Sequence, residues 1–133
     1  MPRVTVAIPT YNRLRFLRPC LESIKRQSFK DIEVIIFDDH STEPIQEEAE
    51  SILGRKVSFF PSSTSLGAAR NIERALRHTY ASEYLMIFHD DDVMHPELIQ
   101  REVQLLDTYQ EAAFAASTIS FVSNANAMNS FFS

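Results

Sequence analysis

The run His89-Asp90-Asp91-Asp92 is the part of the sequence whose residue types point most directly to chemistry. Three adjacent carboxylates repel one another, since two unit charges about 4 Å apart cost on the order of 4 kcal/mol at an effective dielectric near 20. Mg²⁺ or Mn²⁺ offsets such repulsion, typically taking one or two carboxylates and completing its shell with water and substrate phosphates. The run therefore predicts a divalent-cation site. The alternative is a solvated turn that caps the helix starting near Pro96.

Polar side chains in two other loops and on one helix could share this site. Asp38 and Asp39 follow the apolar run Ile32 to Phe37, and their carboxylates could accept hydrogen bonds from a base N–H or from ribose hydroxyls. The alternative for this pair is capping of the following helix. Tyr11 could stack on a base or be a half-buried loop aromatic. Arg70 could reach a phosphate or the acidic run, or form a surface salt bridge that contributes little.

The segments that must position these side chains alternate between two kinds of pattern. Short apolar runs predict strands at Val4 to Ile8, Ile32 to Phe37, Val57 to Phe60 and Tyr84 to Phe88, with a further strand at Ala113 to Val122. Helices are predicted between them, the first capped by Asn12 and the second stopped by Gly54. Alternating strands and helices predict an α/β fold with a mainly parallel sheet flanked by helices on both faces. The polar loops then share the carboxyl edge of the sheet, where ligands bind in open parallel sheets.

Composition narrows the class of protein. The 133 residues, 44% of them hydrophobic, predict one domain with its own core. A formal net charge of -5 argues against nucleic acid as the main partner. The single cysteine, Cys20, is predicted to be a buried thiol and favours a cytoplasmic setting. With two glycines in total, the sequence has neither a dinucleotide fingerprint nor a P-loop, and no histidine has zinc-ligand spacing with Cys20.

Four motifs together resemble the family 2 glycosyltransferases, which are inverting enzymes with the Rossmann-like GT-A nucleotide-diphospho-sugar transferase fold. The motifs are Val6 to Arg13, Glu33 to Thr42, Leu66 to Asn71, and Phe88 to Asp92 followed by Pro96. They occur in the family's order at fitting spacings and cover residues 3 to about 110. The resemblance implies that residues 1–133 are the nucleotide-sugar-binding N-terminal portion of a longer enzyme, in which this fold is truncated.

The resemblance also implies roles for individual residues. The nucleotide-sugar site would be built from Pro9, Tyr11, Asp38, Asp39, Arg70 and Asp90. Asp91 would be the metal-binding acid of the family's Asp-x-Asp motif, holding Mn²⁺ or Mg²⁺. Many members have Asp where this chain has His89, so which of the three acids contacts the metal directly stays open. We expect His89 to fill space rather than to contact the donor.

The activity implied is transfer of a sugar from a nucleoside diphosphate donor, with a UDP-sugar favoured, to a hydroxyl of a saccharide or lipid-linked acceptor with inversion. The metal stabilises the diphosphate leaving group and a carboxylate deprotonates the acceptor. That general base is expected outside this chain. The full-length protein is expected in the cytoplasm, including the inner face of the membrane as a peripheral protein. Self-association is expected through surface left uncovered, including the apolar tail at Phe131-Phe132.

Two other functions compete with this interpretation. The first is a non-catalytic module that binds a nucleotide or a metal without transferring anything. The second is a phosphotransfer or phosphohydrolase domain built around the acid clusters. The second is disfavoured because such domains place acids directly after the first strand, where this chain has Pro9-Thr10-Tyr11-Asn12.

Overall fold

A computed structural model describes residues 1–122 and shows strands alternating with helices. The elements are β1 (Val4–Thr10), α1 (Leu14–Lys25), β2 (Ile32–Asp38), α2 (Ile45–Leu53), β3 (Ser58–Pro61), α3 (Ala68–Arg77), β4 (Tyr84–Ile87) and α4 (Leu98–Thr108). The strands form one sheet in the order β3-β2-β1-β4, and every neighbouring pair is parallel. The predicted parallel α/β architecture is confirmed. In the described range, no helix combines the length and apolar character needed to cross a bilayer.

Both faces of the sheet are covered by helices, as predicted. In β1, Val4, Val6 and Ile8 pack on one face with the buried residues of α1, α2 and α4. Ala7 points to the other face, where it clusters with side chains of β2 and with Ala75 of α3. Because β1 and β2 are central and covered twice, their sequences are almost continuously apolar instead of alternating.

The strand predicted at Ala113 to Val122 does not form, and that prediction was wrong. These residues lie outside the sheet, and Phe114, Ile119 and Phe121 are 78%, 78% and 98% exposed. An extended run becomes a strand only where a neighbouring strand satisfies its N–H and C=O groups. Among the described residues, the edge strands β3 and β4 pair only with β2 and β1. The Phe131-Phe132 tail lies outside the described residues.

The helix boundaries agree with the sequence at one end of α2 and differ at the start of α1. Gly54 ends α2 in the left-handed conformation, with φ of 67°, as its sequence position predicted. Asn12 does not cap α1, which begins after Arg13 without a side-chain cap. With φ of 44°, Asn12 instead turns its Oδ1 to accept hydrogen bonds from the N–H groups of Thr42 (2.8 Å) and Glu43 (3.2 Å). The same residue therefore ties together the loops after β1 and β2.

Candidate functional site

The parallel register brings the loops after β1, β2 and β4 to one edge of the sheet. Thr10 is aligned with Asp38 across β1 and β2. The N–H of Asp39 donates to the carbonyl of Thr10 at 2.9 Å, and the N–H of Phe88 donates to the carbonyl of Ala7 at 2.9 Å. The segments that carry the predicted site residues therefore start from neighbouring positions at the carboxyl edge.

Asp90 is the most buried acid of the run after β4, at 5% exposure. Its Oδ2 accepts a hydrogen bond of 2.8 Å from the hydroxyl of Thr10, and Nη1 of Arg13 lies 3.4 Å from its Oδ1. Burial raises the pKa of the Asp90 carboxyl above its ordinary value, while Thr10 and the charge of Arg13 act in the opposite direction. Both oxygens of Asp90 thus have partners on β1 or directly after it.

Asp91 is more open than Asp90. Its side chain is 43% exposed, and Oδ2 pairs with Nη2 of Arg13 at 3.0 Å. Asp92 is exposed, and its N–H donates to the carbonyl of His89 at 3.3 Å, which closes the turn. The side chain of His89 is also exposed, so it is not part of the core, and the expectation that it fills space instead of contacting the donor stays a prediction.

These acids suit a divalent cation that completes its shell with water and phosphates, and they do not suit a metal held by protein ligands alone. Within residues 1–122, no three side chains of His, Cys, Asp or Glu converge into a metal cage made by protein alone. An exposed carboxylate at Asp91 beside a fixed one at Asp90 suits Mg²⁺ or Mn²⁺, which take one or two carboxylates and complete their shell with water and phosphates. The Arg13 guanidinium shows that the pair already attracts a positive charge.

The second acid pair is buried and engaged by backbone groups. Asp39, at 2% exposure, accepts hydrogen bonds from the N–H of Leu66 (Oδ1, 2.6 Å) and of Gly67 (Oδ2, 2.9 Å). Asp38, at 3% exposure, accepts from the N–H of Ser41 at 3.0 Å and from its hydroxyl. Neither acid caps α2. The two carboxylates shape the loops around the site instead of presenting free oxygens.

The other predicted site residues lie around these acids. Pro9 is half-buried in β1, and Tyr11 follows the end of β1 with 47% exposure. Arg70 is exposed in the first turn of α3, whose start is held by Asp39 through Gly67. In the described part of the chain no ion pair joins Arg70 to the acidic run, so its guanidinium is available to solvent.

The sequence did not predict how firmly α1, and Gln27 just after its end, hold the acidic run and the residues that follow it. The Cys20 thiol donates to the carbonyl of His89 (3.6 Å), and the hydroxyl of Ser23 accepts from the N–H of Met94 (3.1 Å). Gln27, 1% exposed, donates to the carbonyl of His95 (2.8 Å) and accepts from the N–H of Ile99 (3.2 Å). The available signal was a set of polar residues on the apolar stripe of α1. Cys20 is fully buried, as predicted, and burial raises the pKa of its thiol.

Arg13 was also missed as a site residue, although it stands inside the first motif. The signal that could have found it is a base placed directly after one strand, at the edge where another strand ends in three acids. The pairs it forms with Asp90 and Asp91 connect the loop after β1 with the loop after β4.

The parallel sheet, the acids at its carboxyl edge and the helices on both faces define an α/β protein, and solved glycosyltransferase structures match it as a GT-A-like fold. The family model described as "Glycosyl transferase family 2" matches residues 5–130. The chain belongs to that family.

Individual relatives agree with this assignment. GalNAc(5)-diNAcBac-PP-undecaprenol beta-1,3-glucosyltransferase of Campylobacter jejuni is 30% identical over 95 residues, which are 69% of this chain and 30% of that protein. TarS 1-349 of S. aureus, solved in complex with UDP-GlcNAc, matches with a TM-score of 0.72 at 22% identity, over 81% of this chain and 32% of that one. Mannosyltransferase PcManGT of Pyrobaculum calidifontis, in complex with GDP-Man and Mn²⁺, matches with a TM-score of 0.66 at 27% identity, over 79% of this chain and 32% of that one.

The match covers only part of each relative. This chain covers between 15% and 43% of the length of the first curated relatives. The comparisons establish the family and the fold of this chain. They do not establish the reaction that a whole protein of this family would catalyse.

Proposed function

We propose that residues 1–133 form the nucleotide-sugar-binding domain of a longer, metal-dependent, inverting glycosyltransferase. The observation that carries the proposal is the carboxyl edge of the sheet, where exposed Asp91 stands beside the fixed carboxylate of Asp90. Structural neighbours have been solved with UDP-GlcNAc and with GDP-Man and Mn²⁺. These ligands support a nucleoside diphosphate sugar as donor, and we favour a UDP-sugar.

Asp90 and Asp91 have different roles according to their exposure. Asp90, held by Thr10, fixes the loop and faces the ribose or the donor sugar. Asp91 is the metal ligand, since its carboxylate is 43% exposed and its partner in the described residues is the side chain of Arg13, which a metal can replace. When bound, Mn²⁺ or Mg²⁺ neutralises the diphosphate leaving group.

The nucleoside lies along the loop after β1 in this proposal. Tyr11 offers an exposed ring for stacking beside Pro9. Asp38 and Asp39 support the pocket by fixing the neighbouring loops. Arg70, exposed in the first turn of α3, is within the element that Asp39 positions and supplies a guanidinium for the base or the phosphates. The general base and the saccharide or lipid-linked acceptor site belong to residues beyond this chain.

Calorimetric titration of UDP into the 133-residue chain, with and without Mn²⁺, tests the proposal. We expect binding that requires Mn²⁺ and that Asp91→Ala abolishes. Asp31→Ala is the matched control, because Asp31 is exposed directly before β2, at the opposite edge of the sheet. Absence of binding by UDP, GDP and dTDP to the folded wild-type chain contradicts the proposal, as does equal loss in both variants.

We also propose that the isolated chain self-associates through its exposed apolar surface. Leu85 is 42% exposed on the edge strand β4, and Leu76 of α3 is 63% exposed. Edge strands with exposed apolar side chains pair readily with other chains. Sedimentation velocity at increasing concentration should show dimers or larger species that Leu85→Lys reduces. A monomer at every concentration contradicts the proposal.

A further inference from the structure

Arg13 spans the two acids that matter most for metal binding. Its Nη2 lies 3.0 Å from Oδ2 of Asp91, and its Nη1 lies 3.4 Å from Oδ1 of Asp90. A guanidinium is always charged and presents its N–H groups in a planar fork. The same fork therefore pairs with one buried carboxylate and one exposed carboxylate and offsets part of their combined charge.

The guanidinium is placed by the fold and not by the acids alone. Arg13 is the residue directly before α1, so its backbone is fixed between the loop after β1 and the helix. Its Cζ lies 5.0 Å from the centroid of the Phe16 ring, which supports the side chain from the helix. Arg15 contacts the same ring at 4.6 Å. Arg15 forms no ion pair with an acid in the part of the chain that the structure describes.

The bridge is built so that it can open. The side chains of Arg13 and Asp91 are each 43% exposed, and ion pairs at such positions contribute little to folding stability. A divalent cation that takes Oδ2 of Asp91, alone or together with Oδ1, competes with Arg13 for that oxygen, because two cations at contact distance repel. Metal binding in that mode displaces Arg13, and the displaced fork then needs another anion.

We propose that Arg13 is an exchangeable counter-ion that pairs with Asp90 and Asp91 until a divalent cation arrives with a nucleoside diphosphate, whose phosphate oxygens then bind the guanidinium. The inference rests on the proposed function and deepens it. Without the diphosphate, metal competes with Arg13 and binds weakly. With the diphosphate, Arg13 changes partner, so metal and nucleotide strengthen each other's binding. Arg13 thus binds the diphosphate directly and couples the binding of the two ligands.

The coupling can be measured without activity. The amplitude of the free Mn²⁺ electron paramagnetic resonance signal reports Mn²⁺ binding alone, and calorimetry reports UDP binding at saturating Mn²⁺. In Arg13→Gln we expect Mn²⁺ alone to bind about fivefold more tightly and UDP with Mn²⁺ to bind about fivefold more weakly, the size of a modest coupling between sites. Arg13→Lys, which keeps the charge but cannot span both acids, should fall between wild type and Arg13→Gln. Arg15→Gln should match wild type in both measurements.

The opposite signs of the two effects distinguish this inference from a structural role. A loosened loop would weaken both ligands in Arg13→Gln, and that result overturns the inference. Unchanged Mn²⁺ affinity in Arg13→Gln, with Mn²⁺-dependent UDP binding intact in wild type, also overturns it while leaving the proposed function standing. Binding of neither ligand by wild type and all variants overturns both.

Discussion

Replacing Asp39 by asparagine tests whether this acid holds the loop that leads to α3. The carboxylate is 2% exposed and accepts one backbone N–H on each oxygen, from Leu66 at 2.6 Å and from Gly67 at 2.9 Å. Asparagine has nearly the same shape but only one acceptor oxygen. In Asp39→Asn, one of the two backbone donors therefore faces an amide NH₂, which is also a donor.

The expected cost follows from these two bonds. A hydrogen bond to a charged group contributes about 1.5–3 kcal/mol, and a buried donor left without an acceptor costs about 1–3 kcal/mol. The neutral amide is cheaper to bury than a carboxylate, which offsets part of this loss. We expect the free energy of unfolding to fall by about 2–3 kcal/mol. With a urea slope of about 1–3 kcal/mol per molar, the midpoint should fall by about 0.7–3 M.

Urea unfolding followed by far-UV circular dichroism measures this shift. Asp31→Asn is the matched control, since it makes the same chemical change at an exposed position and should move the midpoint by less than about 0.3 M. If Asp39→Asn also moves the midpoint by less than about 0.3 M, the two backbone hydrogen bonds do not stabilise the loop and our account of Asp39 is wrong. Such a small shift is what we would expect if the Asp39 carboxylate served only to bind a base.

Two further predictions concern Gln27, just after α1, and Cys20 within it. Gln27→Leu removes the acceptor of the Ile99 N–H and a donor to the His95 carbonyl. Thermal unfolding should therefore show that the free energy of unfolding falls by about 2–3 kcal/mol, whereas Gln104→Leu, at an exposed position of α4, should leave it unchanged. Because burial raises the pKa of the Cys20 thiol, stability is complete below the unfolded-state pKa near 8.5 and is lost as pH rises above it. In metal-free buffer we expect a loss of about 1 kcal/mol between about pH 9 and 10; an equal slope in Cys20→Ala would contradict this.

The fold could be predicted from the sequence where burial on two faces leaves little choice. Continuous β-branched runs mark β1 and β2 because central parallel strands are covered on both sides. The run at Ala113 to Val122 contains apolar and β-branched residues among alanines and serines, but it does not pair with either edge strand of the described sheet. Strand formation requires such pairing, which local composition does not encode, and the prediction failed there for that reason.

The partners of the site residues were harder to predict than their positions. The ends of the predicted strands indicated that Asp39 and Asp90 lie at the carboxyl edge of the sheet. They did not tell us that Leu66 and Gly67 would engage one acid and Thr10 the other. Hydrogen bonds between residues far apart in sequence depend on loop conformation. Any of several polar groups could have satisfied the same carboxylate.

The reason given from sequence for a metal at the acidic run also changes once Arg13 is placed. That reason was repulsion among three carboxylates with nothing to offset it. In the structure, Thr10 donates a hydrogen bond to Asp90, and the single positive charge of Arg13 lies between Asp90 and Asp91 and offsets part of their repulsion. Repulsion among the acids is therefore a weaker argument for a metal than it was from sequence. In our proposal a diphosphate favours the metal, because its negative charges would both recruit the divalent cation and give Arg13 a new partner. Metal affinity should therefore depend on the nucleotide and not on the acids alone.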